Sequence, residues 1–182
     1  MQKILNLGCG PKPFKNTSDK IYTNVDMINN PNIIKHNLTK SPYPFADKEF
    51  DRIYLFHAIE HIPEEKHVII LREIRRLLKP EGKAIISYPE FKKCAQNYIE
   101  NKNDKEDFWK MTIFGRGTTE YDRHKALMDS EKFILTLKIA GLDLVRLYPE
   151  VNENYNTVVI AKRGDFILTY EELMRKECAA NP

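Results

Sequence analysis

Apolar residues fall along this chain in short runs separated by polar turns, and the runs follow two periods. Ile4 to Leu7 is closed by Gly8-Cys9-Gly10-Pro11, which predicts a strand followed by a tight loop. Ile21 to Asp26 predicts a second strand, and Ile33 to Asn37 a short third one after the turn Asn29-Asn30-Pro31-Asn32. Ser41-Pro42-Tyr43-Pro44 is extended, because each proline pushes its predecessor out of the helical region. Phe50 to Phe56 has the aromatic and β-branched content of a fourth strand. The period then changes. Pro63 opens a helix with Glu64 and Glu65 favourably placed against its dipole. Ile70, Leu71, Ile74, Leu77 and Leu78 recur on one face until Lys79-Pro80-Glu81-Gly82 stops it. Ala84 to Tyr88 predicts a fifth strand, residues 91–114 are mixed and partly helical, and Gly115 to Lys125 is a polar surface loop. Ser130 suits the N-cap of a helix over Glu131 to Ala140, with Gly141 just past its end. Leu142 to Tyr148 and Thr157 to Lys162 predict the last strands, and Thr169-Tyr170-Glu171-Glu172 is a capping box that starts a C-terminal helix.

Strands alternating with helices predict an α/β fold with a mostly parallel sheet. About a dozen residues lie between the first two predicted strands, and fewer between the next two. A parallel crossover needs a dozen or more residues with its helix, so the early helices must be reduced or absent. The 182 residues, 42% hydrophobic and 30% charged, suit one ordinary globular domain. A net charge of +3, with its cations spread along the chain, does not argue for nucleic acid. Cys9, Cys94 and Cys178 form no CxxC pair, which speaks against a disulfide framework or a zinc ribbon. With no signal-like or membrane-spanning run, the expected setting is cytoplasmic.

Ligands of open α/β sheets bind beyond the carboxyl ends of the strands, where Gly8-Cys9-Gly10 falls. A dinucleotide site would need G-x-G-x-x-G. Here Pro13 holds the third glycine position and Pro11 removes an amide donor, so a phosphate cradle is disfavoured. No G-K-[ST] follows, which excludes a P-loop. Asp26, ending the second strand, can accept both hydroxyls of a ribose. Asn37, ending the third, can hydrogen-bond an adenine edge.

The segments Leu5-Asn6-Leu7-Gly8-Cys9-Gly10-Pro11, Asn24-Val25-Asp26-Met27, His36-Asn37-Leu38-Thr39, Tyr43 to Asp51 and Phe56-His57-Ala58-Ile59-Glu60-His61-Ile62 resemble the successive motifs of S-adenosylmethionine (SAM)-dependent methyltransferases. More closely, the chain is similar to a subgroup of short class I, type 11-like methyltransferases with abbreviated N-terminal helices, some of which accompany sugar-modifying genes. Leu77 to Lys83, Tyr121 to Lys125 and Ser130 to Leu142 match later parts of the pattern. The resemblance implies a Rossmann-like, doubly wound, seven-stranded sheet with an antiparallel final strand over residues 1–162. Residues 163–182 would form a helical extension. It implies that Gly8 and Gly10 contact the methionine portion of SAM, with Leu7 and Cys9 in the same cofactor loop. Asp26 would hold the ribose, Met27 would pack on adenine, and Asn37 with Leu38 would flank that ring. His57 would lie by the sulfonium. The usual N-terminal cover over the cofactor is missing, so the expected site is either open or closed by a homodimer mate or another partner protein.

Methyl transfer needs an aligned nucleophile and, for oxygen, a general base. His57, His61 and His124 are the candidates, with Glu90, Tyr121 and Asp122 near them in the predicted layout. His57-Ala58-Ile59-Glu60-His61 also fits the H-x-x-E-H of inverted zinc proteases, which need both histidines on one helix face. The strand-like Tyr54-Leu55-Phe56 before it and Pro63 after it oppose such a helix. The simpler reading is a hydrogen-bonded pair with no metal. The expected function is methyl transfer from SAM, releasing S-adenosylhomocysteine, to a small polar acceptor such as a sugar or related metabolite. A non-catalytic SAM-fold regulatory module and a nucleic-acid methyltransferase are the alternatives. The second lacks the Asn/Asp-Pro-Pro-Tyr/Phe motif after its fourth strand.

Overall fold

The computed structural model describes residues 1–100, 102, 106–151 and 155–165. The predicted C-terminal helix from Thr169 lies outside the described residues. Seven strands form one sheet: β1 (Gln2–Leu7), β2 (Lys20–Asp26), β3 (Ile34–Lys35), β4 (Phe50–Phe56), β5 (Leu78–Pro89), β6 (Leu142–Val151) and β7 (Asn156–Arg163). Their order is β3-β2-β1-β4-β5-β7-β6. β1 to β5 run parallel and β7 runs antiparallel to both its neighbours. This is the predicted seven-stranded α/β sheet with a reversed final strand.

Alternation along the strands decides which side is buried. Register stacks Leu5 beside Ile53 and Ala84, and Leu7 beside Leu55 and Ile86. Onto that face pack helix α1 (His67–Leu77), through Ile70, Leu71, Ile74 and Leu77, and helix α4 (Ser130–Ile139), through Phe133 and Leu137. Each fully buried aliphatic contributes about 1.5–3 kcal/mol. The opposite face differs. No described helix joins β1 to β2 or β2 to β3. Tyr22, Tyr54 and Phe56 are half-buried there, with Phe14 of the first crossover against Tyr22 and Tyr54 at 5.3 and 6.3 Å. The crossover is pinned by Asn24, whose amide accepts from Phe14 N (3.0 Å) and from Asn6 Nδ2 (3.1 Å) and donates to Phe14 O (2.9 Å).

Helices α2 (Phe91–Ile99) and α3 (Glu106–Phe114) fill the region predicted as mixed. Some predicted bounds shift for identifiable reasons. β3 stops at Lys35, not Asn37, because Asn37 turns the chain: its Oδ1 accepts from Thr39 N and Oγ1, and its carbonyl from Lys40 N. β5 begins at Leu78, before the predicted turn, and loops Lys79 to Gly82 out of register before pairing Lys83 with Arg52. The cap of α4 is Asp129, which accepts from Glu131 N and Lys132 N. Ser130 instead hydrogen-bonds the Glu90 carboxylate.

The crossover from β3 to β4 has no helix among the described residues and is clamped from α1. Arg76 donates to the carbonyls of Tyr43 and Phe45, to Asp47, and through two nitrogens to Glu73. Glu73 in turn accepts from Tyr43 N at 2.7 Å. Burial alone would raise the Glu73 pKa, but the Arg76 guanidinium and the Tyr43 amide outweigh it and hold the carboxyl below its ordinary value. Arg76→Ala strands Glu73 and three crossover acceptors. It is expected to lower unfolding free energy by roughly 2–3 kcal/mol, discounted for partial exposure, in urea melts at pH 7.5.

His67, at the start of α1, donates from Nε2 to the carbonyls of Ile59 and Ile62. Burial lowers its pKa from 6.5, against the pull of those two carbonyls. The unfolded chain therefore takes up the proton first as pH falls. This share of stability is complete above pH 6.5 and is lost as pH falls toward the folded pKa. Urea melts at pH 7.5 and 5.5 should show a smaller acid loss in His67→Gln than in the unchanged chain. Equal losses would remove His67 from the account.

Candidate cofactor and acceptor site

At the end of β1 the backbone folds into the left-handed region at Gly8 (φ 64°) and Gly10 (φ 63°). Gly8 N and Cys9 N both donate to Val25 O, so the loop is hung from the end of β2. A Cβ on Gly8 would lie 2.5 Å from Ala58 Cβ, whereas one on Gly10 would meet nothing within 4 Å. The Gly8 turn therefore touches the segment after β4, and the Gly10 turn faces open space. Asp26 closes the opposite side: Oδ2 accepts from Gly10 N at 2.8 Å and Oδ1 from Met27 N at 2.6 Å. Each carboxylate oxygen can accept more than one bond, so both keep capacity toward a vicinal diol. Met27 is exposed beside it, and Leu38 is buried, its Cδ1 3.9 Å from where a Gly8 Cβ would stand. Leu7 is fully buried in the core behind the loop. Asn37 Oδ1 is engaged by Thr39, which leaves the amide NH2 as the group able to meet a base. Burial, and then the Asp26 charge, push the Cys9 thiol up to about 11, so it stays protonated and packs.

After β4 the chain turns sharply. His57 has φ 47° and its amide donates to Ser87 O. Ile59–His61 makes a single tight 3-10 turn, and Ile62 is extended. His57 and His61 thus do not share the face of an α-helix, as the inverted zinc-protease pattern would require. Their common neighbour is Glu60, 1% exposed. Its Oε1 lies 3.3 Å from Nδ1 of the half-exposed His57, and its Oε2 is buried with no hydrogen-bond partner. The Glu60 carbonyl accepts from Lys125 N (2.8 Å) and Ala126 N (3.1 Å), mooring the far end of the polar loop. That loop starts at Gly115, where φ is 80° and a Cβ would lie 2.0 Å from Asp122 O. It carries a 3-10 turn, Glu120–Asp122, and a bridge between Gly115 and Arg123.

His124 arrives on this loop from a sequence distance of more than sixty residues. Its ring lies edge-on to that of His61, centroids 4.8 Å apart. Nδ1 of His61 is 3.2 Å from Arg123 O, and Nδ1 of His124 is 3.1 Å from Ile113 O. Burial lowers the His124 pKa from 6.5; the Glu60 charge opposes this and His61 adds to it. Together His57, Glu60, His61 and His124 line a cleft of about 370 Å³, with Phe108, Asp122 and Tyr155 among its other walls.

The three predicted catalytic histidines are thus in one place, beside the loop predicted to take the cofactor. The sequence position of Glu60 fits a partner for a neighbouring base and a helix-start charge equally well, and the structure sets it beside His57. Phe108 and Tyr155 lacked a periodic signal. Two acids near the histidines in the predicted layout differ in role. Glu90 is buried and anchors Ser130 and Thr157, and Asp122 lines the cleft and accepts from Thr118. Tyr121 is exposed.

Strand order, the reversed β7 and a glycine loop facing a strand-ending acid define the Rossmann-like fold of class I methyltransferases. A family model described as a methyltransferase domain matches residues 5–86. No curated protein matches the sequence significantly. Among solved structures, a SAM-dependent methyltransferase from Methanosarcina mazei is 15% identical with a TM-score of 0.62, the alignment covering 90% of this chain and 92% of that one. The 1,6-didemethyltoxoflavin-N1-methyltransferase of Burkholderia thailandensis, solved with 1,6-didemethyltoxoflavin and S-adenosylhomocysteine, is 14% identical with a TM-score of 0.61, over 90% and 72% of the two chains. A chain from the complex of a Haloferax volcanii methyltransferase with a methyltransferase activator is 12% identical with a TM-score of 0.56, over 90% and 83%. At these identities the structures establish the fold, and the family match covers the end of β1, β2 to β4 and most of β5. Residues 5–86 match a methyltransferase domain, and the described chain has the fold of class I SAM-dependent methyltransferases.

Gly8 and Gly10 share a positive φ but differ in surroundings, so their alanine variants should differ. Gly8→Ala combines backbone strain with overpacking against Ala58 and should cost about 2–3 kcal/mol. Gly10→Ala carries the strain alone and should cost about 1 kcal/mol. Equal values in denaturant melts would contradict the close approach of the loop to Ala58.

Proposed function

We propose that the chain transfers the methyl group of SAM to an oxygen of a small polar acceptor, a sugar or related metabolite, held in the cleft beside His57. The observation that carries this reading is the contact of the Gly8 turn with Ala58. It sets the proposed cofactor loop directly against the segment that bears the His57–Glu60 pair.

Gly8 and Gly10 would admit the methionine portion of the cofactor, Asp26 would take the ribose hydroxyls, and Met27, Asn37 and Leu38 would border the adenine. The open space over Gly10 and the remaining acceptor capacity of Asp26 suit such a ligand. When bound, SAM supplies a methyl group on a cationic sulfur, open to in-line attack. His57 would take the proton from the acceptor hydroxyl as the new carbon–oxygen bond forms. Glu60, at Nδ1, holds the imidazole in the orientation that leaves Nε2 as the base and steadies the imidazolium that results. His61 and His124 would form the cleft wall that positions the acceptor. The mixed polar and aromatic lining, Phe108 and Tyr155 together with the histidines, suits a molecule with one apolar face and several hydroxyls.

Calorimetric titration with S-adenosylhomocysteine, with NAD as a control, tests the cofactor half. Only the first is expected to bind. Asp26→Ala should weaken it by about 30-fold or more, near 2 kcal/mol for lost charge-assisted bonds, and Asp26→Asn should weaken it less. Binding of NAD, or an unchanged affinity in Asp26→Ala, would refute the assignment. With an acceptor found by screening, His57→Ala should reduce kcat by about 10²- to 10⁴-fold with little change in cofactor affinity. Tight product binding without turnover on any acceptor would favour a regulatory module instead.

A further inference from the structure

The His61–His124–Glu60 cluster holds more donor capacity than a hydrogen-bonded wall uses. Donor atoms of the three side chains lie within 4.8 Å of one another. A backbone carbonyl can only accept, so the bonds from Nδ1 to Arg123 O and Ile113 O fix the proton on Nδ1 of both rings. Each ring therefore keeps a lone pair on its other nitrogen. Metal-binding histidines are held in the same way, with the second ring nitrogen donating to a carbonyl or a carboxylate. Between them sits Glu60, whose Oε2 is buried without a hydrogen-bond partner. An unpartnered buried carboxylate oxygen is costly, and a cation relieves it.

We propose that His61, His124 and Glu60 bind one divalent transition-metal ion, of the zinc or cobalt kind, at the inner wall of the acceptor cleft. Two imidazoles and one carboxylate are the donor set of catalytic zinc sites, with the fourth position left to water or substrate. Bond lengths of about 2.0–2.2 Å put the ligand atoms of a tetrahedral site about 3.3 Å apart, so the side chains need to close by up to about 1.5 Å. Rotation of the imidazoles about their side-chain torsions supplies this. Glu60 can serve both neighbours, Oε1 to His57 and Oε2 to the metal. The site departs from the protease pattern: His57 of H-x-x-E-H is not a ligand, and the second histidine comes from the loop that ends at Lys125. The cleft opens on the cluster, so the free position faces the acceptor. An acceptor oxygen bound there would have its proton acidified beside His57. In this last respect the inference rests on the methyl-transfer reading, and the metal site itself does not.

The test is metal titration of the chelator-treated full chain without SAM. One equivalent of Co2+ should bind at micromolar concentration or below, give the visible absorption bands of a tetrahedral N/O site, and be displaced by Zn2+. His61→Gln and His124→Gln should each weaken binding about 100-fold or more, Glu60→Gln should weaken it less, and His36→Gln should leave it unchanged. If a cluster variant does not fold, the unchanged chain still decides: Zn2+ should shift the side-chain nitrogen resonances of His61 and His124 out of five histidines. Absence of Co2+ bands, binding unaffected in folded His61→Gln and His124→Gln, or shifts confined to other histidines would overturn the proposal. Failure of S-adenosylhomocysteine to bind would instead count against the cofactor assignment and leave this titration intact.

Discussion

Between β3 and β4 the chain must pass from one flank of β1 to the other without a described helix to carry it, and the guanidinium of Arg76 makes that passage possible. A helical crossover satisfies its own backbone. An extended one leaves carbonyls that need donors wherever it is buried. Arg76 supplies them to Tyr43 and Phe45, and Glu73 takes the Tyr43 amide, so α1 acts as the template for the segment beneath it. Tyr43 can then sink into the core with its hydroxyl on Leu38 O. That bond fixes the turn from Asn37 to Lys40 at the rim of the proposed adenine site. The first crossover solves the same problem with the Asn24 amide, which gives Phe14 the two bonds a neighbouring strand would have given.

The reduction of the early crossovers leaves the carboxyl ends of the strands intact. Gly8, Asp26 and the segment after β4 are held by strand ends, not by helices: Val25 O, the neighbouring amides and Ser87 O. Glu60 then joins two functions in one residue. Its carboxylate faces His57 and the His61–His124 pair, and its carbonyl fastens the loop that brings His124.

Much of this was legible in the sequence because it depends on local chemistry. The aromatic and β-branched content of Phe50 to Phe56, the stripe from Ile70 to Leu77, and the tight glycine loop after β1 each follow from a few neighbouring residues. The short spacing between early strands announced the missing helices. What escaped depends on distant partners. Ser130 suited a cap, but Glu90, forty residues earlier, claims it, and Asp129 caps α4. Asn37 was expected to end a strand, but its bonds to Thr39 end the strand sooner. The H-x-x-E-H pattern invited a comparison of His57 with His61. The ring that meets His61 is His124, and only the fold brings the two together.

The mooring of the polar loop at Glu60 O has a consequence for how such a protein can change over time. The contact uses main-chain atoms on both sides, Lys125 N and Ala126 N against a carbonyl. Side chains between Gly115 and Arg123 can therefore be exchanged without releasing the loop, provided the glycine that turns it remains. The loop side of the cleft is open to drift, while His124 keeps its place. A lineage built on this frame can alter a few exposed loop positions and leave the His61–His124 ring pair in place.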